Sequence, residues 1–320
     1  MQVTFLGTSS GVPTKSRNLS CAALRLPQRA EVWLFDCGEA TQHQLLRSDL
    51  KISQLTRIFI THMHGDHIFG LPGLLATCGM AGDVRGLDVY GPPGLDEYVR
   101  SSLRHSETRL SYPVAVHVVR DGAVVYQDRE YTVSCLSLVH RVISFGYRVQ
   151  EQDRPGRFQV EKAIAHGVPP GPLFGRLKAG ERIALPDQRE LDGRDFTGPR
   201  EAGRSVVYCT DTTHCENAVA LSADADLLIH EATFSHEDEH LAKQSLHSTT
   251  TMAARVAREA RAHQLLMTHF SPRYAIGGRL RPQDLLAEAR AVFPQTEMAH
   301  DFLTVEVPRR AAAEDGRAVI

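Results

Sequence analysis

The chain has 320 residues, of which 42% are hydrophobic, and its 36 basic residues nearly balance its 38 acidic ones. This length supports one large core or two small ones, and the net charge of −2 excludes a global basic field that would attract a polyanion. No run approaches the roughly 18 apolar residues of a membrane span, the N-terminus lacks an export signal, and the six cysteines form no Cys-x-x-Cys pair. We therefore expect reduced thiols and a cytoplasmic protein without a membrane segment.

The first third of the chain predicts strands and helices in alternation. Apolar runs predict strands over 2–6, 19–26, 31–35, 57–61 and 87–90, and the first three are expected to be antiparallel. Helical patterns cover 40–48, 69–80 and 95–105. This order of elements is typical of an α/β protein.

The segment His62-Met63-His64-Gly65-Asp66-His67 follows the predicted strand 57–61 directly and is the most informative part of the chain. Zinc binds imidazole nitrogen and carboxylate oxygen, and a catalytic zinc leaves one position open for water. A tight turn after a strand would direct His62 and His64 at one metal, while Asp66 and His67 face a second. This spacing favours a metal site over a histidine-rich surface loop.

The alternation breaks over 150–203, where we predict an inserted segment. Six of the nine residues in 167–175 are Gly or Pro, which predicts neither a helix nor a central strand there. Between 154 and 184 the basic residues exceed the acidic ones by four. These basic residues are Arg154, Arg157, Lys162, Arg176, Lys178 and Arg182. A long insertion in a compact domain is usually functional or disordered, and both interpretations stay open at this point.

The rest of the chain repeats one pattern, in which an apolar run ends in a residue that could bind a metal. The runs 136–139, 205–210, 226–229 and 265–268 read as buried strands. They are followed by His140, Asp211, His230 with Glu231, and His269. Ligand-type residues at strand ends are expected at the edge where open α/β sheets carry their sites. Helices are predicted from a Ser248 cap through 261 and from Pro282 to 293.

The order of these residues resembles the metallo-β-lactamase fold superfamily of dinuclear zinc hydrolases. The chain has the His-x-His-x-Asp-His motif, then a single His, an Asp after a strand and a final His. The resemblance implies two zinc ions per subunit. One would be held by His62, His64 and His140, the other by Asp66, His67 and His269, with Asp211 between them.

Four further segments resemble ribonuclease Z, the family of endonucleases that remove 3′ trailers from precursor transfer RNA. They are Pro13-Thr14-Lys15-Ser16-Arg17-Asn18, His230-Glu231-Ala232-Thr233, His247-Ser248-Thr249 and Ala299-His300-Asp301-Phe302. The resemblance spans the chain from residue 1 to about 307. It implies an αββα sandwich formed by 1–149 and 204–308, an arm over 150–203 that grips the transfer RNA, a polar tail over 309–320 and a homodimer.

The implied chemistry uses the metal pair to activate water. Two zinc ions can share a water and lower its pKa, so that the resulting hydroxide attacks the phosphorus. The products would be a 3′-hydroxyl on the transfer RNA and a 5′-phosphate on the trailer. Asp66 is the predicted acid/base and His247 the predicted donor to the departing 3′-oxygen, with Glu231 holding the other ring nitrogen of that histidine. For Glu231 the alternative is structural support of the metal site alone.

Because the chain as a whole is not basic, affinity for RNA must come from local clusters. Lys15, Arg17 and Asn18 form one predicted phosphate contact, and the six basic residues of the insertion form the other.

Two other functions stay open. A small-molecule hydrolase of the same fold, such as a cyclic-nucleotide phosphodiesterase, arylsulfatase or lactonase, would lack both clusters. A non-catalytic RNA-binding or scaffold protein would have lost metal ligands, which a metal assay would reveal.

Overall fold

The protein is described by a computed structural model that covers residues 1–82, 84–154, 156–198, 200–274 and 280–309. The chain divides into two compact units. The first comprises Met1–Gln150 and Ser205–Val307, and the second is built on Glu151–Arg204. The second unit begins and ends one residue after the predicted insertion. Most of the predicted polar tail over 309–320 lies outside the described residues.

Strands and helices follow one another along the described residues, and those between 152 and 204 belong to the second unit. The strands, in chain order, are β1 (Gln2–Gly7), β2 (Cys21–Leu26), β3 (Glu31–Phe35), β4 (Leu55–Phe59), β5 (Leu87–Gly91), β6 (Val114–Val118), β7 (Val124–Gln127), β8 (Tyr131–Leu138), β9 (Ser144–Glu151), β10 (Arg182–Ala184), β11 (Glu190–Asp192), β12 (Ser205–Cys209), β13 (Leu227–Glu231), β14 (Leu265–Thr268), β15 (Thr296–Met298) and β16 (Thr304–Glu306). The helices are α1 (Thr41–Leu46), α2 (Gly65–Ile68), α3 (Leu71–Ala81), α4 (Leu95–His105), α5 (Val160–Ala165), α6 (Pro172–Lys178), α7 (Glu216–Leu221), α8 (Glu239–Ser245), α9 (Thr250–Glu259) and α10 (Pro282–Val292).

The first unit contains two seven-stranded sheets, with strand orders β16-β1-β2-β3-β4-β5-β6 and β15-β14-β13-β12-β9-β8-β7. Strands β1, β2 and β3 are antiparallel, as predicted, whereas β3 through β6 are parallel. Strands β12 through β15 are also parallel. The carboxyl ends of the parallel strands in each sheet therefore lie at one edge.

A core rich in aromatic side chains lies between the two sheets. Trp33, Phe35 and Phe59 from the first sheet pack with Tyr147 and Tyr208 from the second. Each sheet buries its outer face against helices. One outer core joins α1, α3 and α4 to the first sheet, and the other joins α7, α9 and α10 to the second. Both inner and outer faces are apolar, which explains the uninterrupted apolar runs of the sequence. The predicted αββα sandwich is confirmed.

Two local predictions were wrong. A helix, α6, begins inside the Gly/Pro run at Pro172, because a first-turn N–H has no partner within a helix and its loss in proline costs nothing there. The N-cap of α9 is Thr249, whose side chain accepts from the N–H of Met252, whereas Ser248 Oγ donates to the carbonyl of Thr212.

The second unit has a small core of its own, formed by Ala163, Val168, Leu177, Ile183, Leu185 and Phe196. A buried carboxylate, Glu151, forms ion pairs with Arg154 at 3.0 Å and Arg204 at 2.8 Å, and also with Arg309. A buried charge needs such partners, because its loss of hydration is otherwise uncompensated. Nowhere in the described part of the chain is a helix both long and apolar enough to span a membrane.

Candidate metal centre

Seven candidate metal ligands, all in the first unit, follow strands and converge on one site. His62 comes two residues after Ile60, which follows β4, and His140 follows β8 across one residue. Asp211 and His269 follow β12 and β14, and both adopt left-handed backbone conformations, with φ of 54° and 59°. Non-glycine residues rarely occupy this region, and where they do the backbone is often held for a function. These turns bring the side chains of distant strands together.

The first ligand cluster contains three imidazole nitrogens and one carboxylate oxygen. His64 Nδ1 lies 3.0 Å from His62 Nε2 and 3.2 Å from His140 Nε2. Asp211 Oδ2 lies 3.5 Å from His62 Nε2 and 3.7 Å from His140 Nε2. All four atoms therefore surround one small volume.

The second cluster contains two imidazole nitrogens and two carboxylate oxygens. His67 Nε2 lies 3.4 Å from Asp66 Oδ2 and 3.3 Å from Asp211 Oδ1. His269 Nε2 lies 3.5 Å from Asp66 Oδ2 and 3.2 Å from Asp211 Oδ1. Asp211 thus directs one carboxylate oxygen to each cluster.

The spacing of these atoms fits metal ions of the size of zinc. Four ligands about 2.0–2.1 Å from a zinc ion at the corners of a tetrahedron lie roughly 3.3–3.4 Å apart, and the distances in both clusters scatter around this value. Three buried atoms of the second cluster, His67 Nε2, His269 Nε2 and Asp211 Oδ1, have no hydrogen-bond partner in the described part of the chain. Buried polar atoms are otherwise almost always paired. A cation bound to these atoms would satisfy all three.

The electrostatics of the site also favour cations. Burial lowers the pKa of His62, His64 and His140, so these rings are neutral and able to bind a metal. Burial alone would raise the pKa of Asp66 and Asp211, but the adjacent imidazoles lower it for both carboxyls. Burial alone would also lower the pKa of His67, but the neighbouring carboxylates, Asp211 foremost, raise it well above its ordinary value. The first cluster therefore offers neutral nitrogen donors beside a charged carboxylate, whereas metal binding at the second would displace a proton from His67.

The ring nitrogens that face away from the site are held by hydrogen bonds. His67 Nδ1 donates to Asp36 Oδ2 at 2.8 Å, and His140 Nδ1 donates to the carbonyl of Leu246 at 3.0 Å. His62 Nδ1 lies 3.0 Å from Thr61 Oγ1, and His269 Nδ1 lies 2.9 Å from Thr233 Oγ1. Such bonds set the tautomer and orientation of metal-binding histidines.

Asp36 is a candidate site residue that the sequence alone did not indicate, and its Oδ2 accepts from His67. It is fully buried, it follows β3, and its φ of 60° matches the left-handed conformations of Asp211 and His269. Its Oδ1 accepts from both the N–H and the hydroxyl of Thr61, which supports His62 in turn. The rule that identified Asp211, a polar residue directly after a buried strand, would also have identified Asp36.

His247 lies beside the first cluster and is held by Glu231. Its Nδ1 is 2.8 Å from Glu231 Oε1, and its Nε2 is 3.9 Å from Asp211 Oδ2. Burial alone would lower the pKa of His247, but the charges of Glu231 and Asp211 raise it to about 9. Glu231 is fully buried, and its carboxylate also accepts from the N–H groups of Thr212 and Ser248. This pair places a proton-bearing nitrogen at the site.

The loop at 11–18 approaches the second cluster. The N–H of Gly11 donates to Asp66 Oδ2 at 2.9 Å. Arg17 is half-buried, and its Nη1 donates to Thr8 Oγ1 and to the carbonyl of Ala299, both at 2.7 Å. Lys15 is exposed, whereas Asn18 Nδ2 donates to the carbonyl of Glu39 at 2.8 Å. Of the three predicted phosphate contacts, only Lys15 is exposed, and Arg17 Nη1 and Asn18 Nδ2 hold the loop in place.

The six predicted basic contacts of the insertion lie in the second unit and differ in their partners. Arg154, Arg176 and Arg182 form ion pairs with acidic residues, and Lys162 donates to the carbonyl of Asp195. Arg157 and Lys178 are exposed and form no ion pair within the described residues. Over the whole of 151–204, ten basic residues face nine acidic ones. The excess of basic over acidic residues is therefore confined to 154–184. Within that segment, Arg157 and Lys178 are exposed cations without an ion pair among the described residues.

Comparison with known protein families finds two matches. Residues 1–148 match the model described as "Anti-Pycsar protein Apyc1". Residues 189–270 match the model described as "Beta-lactamase superfamily domain". Each covers less than half of the chain.

Relatives and solved structures cover nearly the whole chain. A ribonuclease Z of Nostoc punctiforme is 63% identical over 314 residues, which is 98% of both chains. A ribonuclease Z of Acaryochloris marina is 64% identical over 310 residues, 97% of this chain and 98% of the relative. The crystal structure of the short form of human tRNase Z superposes with a TM-score of 0.68 and 30% identity, covering 96% of this chain and 100% of the human one.

Proposed function

This chain belongs to the ribonuclease Z family, endoribonucleases that process the 3′ ends of transfer RNA, and from that premise we propose that the two ligand clusters hold a pair of zinc ions at its active site. The observation that carries the proposal is Asp211, whose two carboxylate oxygens point to separate clusters. One zinc ion would be bound by His62, His64 and His140, and the other zinc ion by Asp66, His67 and His269.

When bound, two such ions would lower the pKa of a shared water and stabilise the attacking and leaving oxygens of an in-line displacement. Asp66 would orient this water and accept its proton. The hydrogen bond from the N–H of Gly11 to Asp66 Oδ2 supports this assignment, because it holds the carboxylate in one orientation. Attack on phosphorus breaks the bond to the 3′-oxygen of the transfer RNA.

His247 would give a proton to that departing 3′-oxygen. Its Nε2 faces the site and Glu231 accepts from its Nδ1. Because the charges of Glu231 and Asp211 raise the pKa of the ring to about 9 despite its burial, Nε2 carries a proton as well and can donate it. Glu231 is a positioning residue in this scheme, since its oxygens are occupied by His247, Thr233 and backbone N–H groups. The products would be a 3′-hydroxyl on the transfer RNA and a 5′-phosphate on the trailer.

Substrate recognition would use contacts with the phosphate backbone. In the first unit, Lys15 is the exposed cation beside the site, and Arg17 and Asn18 would form its support. In the second unit, the proposed arm, Arg157 and Lys178 would contact phosphates, since they are the exposed residues of the six predicted contacts that neither an acidic residue nor a carbonyl engages within the described residues. Phosphate contacts of this kind fix the position of an RNA without reading its sequence.

The cysteines bear on the cellular location of the protein. All six cysteines are free thiols, which fits a reducing compartment and supports the proposed cytoplasmic location. The homodimer stays a prediction that rests on the resemblance to ribonuclease Z.

The decisive experiment combines metal analysis with mapping of the cut. The purified protein is expected to contain two zinc ions per chain and to cleave a 3′-extended transfer RNA at the start of its trailer. His64→Ala should lower the metal content and abolish cleavage, because it removes a ligand of the first cluster. An exposed histidine of α4, His105, provides the control, and His105→Ala should change neither. Hydrolysis of bis(p-nitrophenyl) phosphate without cleavage of any precursor would instead indicate a small-molecule phosphodiesterase.

A further inference from the structure

Two adjoining cavities lie on the outer side of the 11–18 loop in the first unit. The first has a volume of about 330 Å³ and is lined by 14–18 together with Gln44, Arg47, Asp301 and Phe302. The second, of about 290 Å³, is lined by Gln2, Thr4, Arg25, 47–50, Phe302 and Thr304. Both cavities are lined by Arg47 and Phe302 and therefore adjoin each other, and we call the pair the Arg47 groove.

The exposed groups of the Arg47 groove are mainly cationic. Lys15 and Arg47 are exposed and Arg25 is half-exposed, and within the described residues none of them forms an ion pair. The guanidinium of Arg47 lies over the ring of Phe302, 5.0 Å from its centroid. A planar cation on an aromatic ring offers both a charge for phosphate and a flat surface on which a base can stack.

The carboxylate at the floor of the groove is already satisfied. Asp301 accepts from Thr8 Oγ1 at 2.7 Å, from the N–H of Asn18 at 2.6 Å and from Gln44 Nε2 at 3.1 Å. Gln44 Oε1 in turn accepts from Arg47 Nη1 at 3.2 Å. This network orients Arg47 without neutralising it. Asp49, the other acidic residue of the lining, is exposed at the far end.

The groove begins close to the proposed site of cleavage. One end of the loop touches Asp66 through the N–H of Gly11, and Thr14, three residues on, lines the first cavity. Three residues span at most about 11 Å, which is a few nucleotides of single-stranded RNA. Arg17, which is half-buried and donates to Thr8 and Ala299, holds the end of the loop in place.

We propose that the Arg47 groove binds the single-stranded 3′ trailer of the precursor, just beyond the cut. Lys15, Arg47 and Arg25 would contact successive phosphates, and one base would stack on the surface formed by Arg47 and Phe302. On the transfer RNA side of the cut the chain soon enters a duplex, so a run of unpaired nucleotides is available on the trailer side. This inference rests on the proposed function.

The test compares precursors that differ in trailer length. Precursors with trailers of one, three, six and ten nucleotides are cleaved by the wild type, by Arg47→Ala, by Arg25→Gln and by the double variant. Arg104→Ala serves as the matched control, because Arg104 is an exposed arginine of α4 outside both cavities. Thermal unfolding of each variant checks that it is folded. Binding of a 5′-phosphorylated hexauridylate, labelled at its 3′ end, is measured directly over a range of salt concentrations.

We expect kcat/KM of the wild type to rise with trailer length. The double variant should lose this rise, but it should still cut the precursor with a one-nucleotide trailer at the wild-type rate. Hexauridylate binding should weaken by about tenfold or more, and its logarithmic salt slope should become shallower by about 1.4, roughly 0.7 for each lost phosphate contact of a single strand. Arg104→Ala should behave as the wild type.

Equal losses for all trailer lengths, or unchanged hexauridylate binding in a folded double variant, would overturn the proposal, because the arginines would then serve the transfer RNA body or the fold. Absence of wild-type cleavage on every precursor would instead refute the proposed function, and the inference would fall with it. The two failures are distinguishable, since only the second affects the wild type.

Discussion

Asp36 offers the sharpest test of the metal site, because it touches no proposed ion and its Oδ2 accepts directly from His67. In the wild type, His67 Nδ1 donates to Asp36 Oδ2 at 2.8 Å, which leaves Nε2 unprotonated toward the second cluster. In Asp36→Asn the carbonyl oxygen can still accept from Thr61, as Oδ1 does now. The amide nitrogen would then face His67 Nδ1. This ring nitrogen can accept that donor only if the proton moves to Nε2, the atom that should bind the metal.

The size of the effect follows from this change of tautomer. Loss of such a supporting bond weakens metal binding by about 10–100-fold, which corresponds to roughly 1.4–2.8 kcal/mol. The loss should fall on the second cluster, because the carbonyl oxygen of Asn can still accept from Thr61, the residue that supports His62 of the first cluster. We therefore expect Asp36→Asn to retain one tightly bound zinc ion and to bind the second with a Kd raised by that factor.

Competition titrations of the metal-free protein with zinc and a chelator measure the two affinities separately. Asp226→Asn is the matched control, since Asp226 is also a buried aspartate, and its Oδ2 accepts from the N–H of Ser205 at 2.7 Å away from any metal ligand. Both variants should lose some stability, about 1–3 kcal/mol for a perturbed buried hydrogen bond. The reasoning fails if Asp36→Asn binds both ions normally, weakens both equally, or matches Asp226→Asn in metal affinity.

Three further predictions concern proton transfer, the arm and pH. His247→Ala should retain both metal ions yet slow precursor cleavage by about 10²–10⁴-fold, and loss of metal in this variant would make His247 a ligand instead. Replacing Arg157 and Lys178 with Ala should weaken precursor binding and make its salt dependence shallower, without changing hydrolysis of bis(p-nitrophenyl) phosphate. Arg176→Ala removes a cation that is already paired with Glu181, so it should have little effect on precursor binding or on this hydrolysis. Burial alone would raise the pKa of Glu151, but Arg204 lowers it below its ordinary value. The pair of Glu151 and Arg204 therefore contributes stability above pH about 4.3 that is lost on acidification. The difference in Tm between the wild type and Glu151→Gln should shrink from pH 6 to pH 3. A difference that stays constant over this range would contradict the prediction.

Much of the fold and the ligand set can be read from the sequence because both depend on local patterns. Apolar runs that end in His or Asp mark strands whose carboxyl ends lie at one edge, and the parallel strands β4, β12 and β14 of the structure follow this rule. Positions such as His62 and His269 could be identified in this way. The helix at Pro172 was missed because composition was weighed above the special role of proline in a first helical turn.

Other properties depend on which distant groups meet, and only the tertiary structure decides them. The division of Asp211 between two clusters, and the bond from Asp36 to His67, arise from segments that are far apart in sequence. The same holds for Arg17, which reads as a free cation in a Lys/Arg loop but donates to Thr8 and Ala299 once the chain is folded. Sequence determined which residue types are present and where the strands end. The fold determined which charges remain unpaired, because pairing depends on distances of a few ångströms between side chains that no local pattern records.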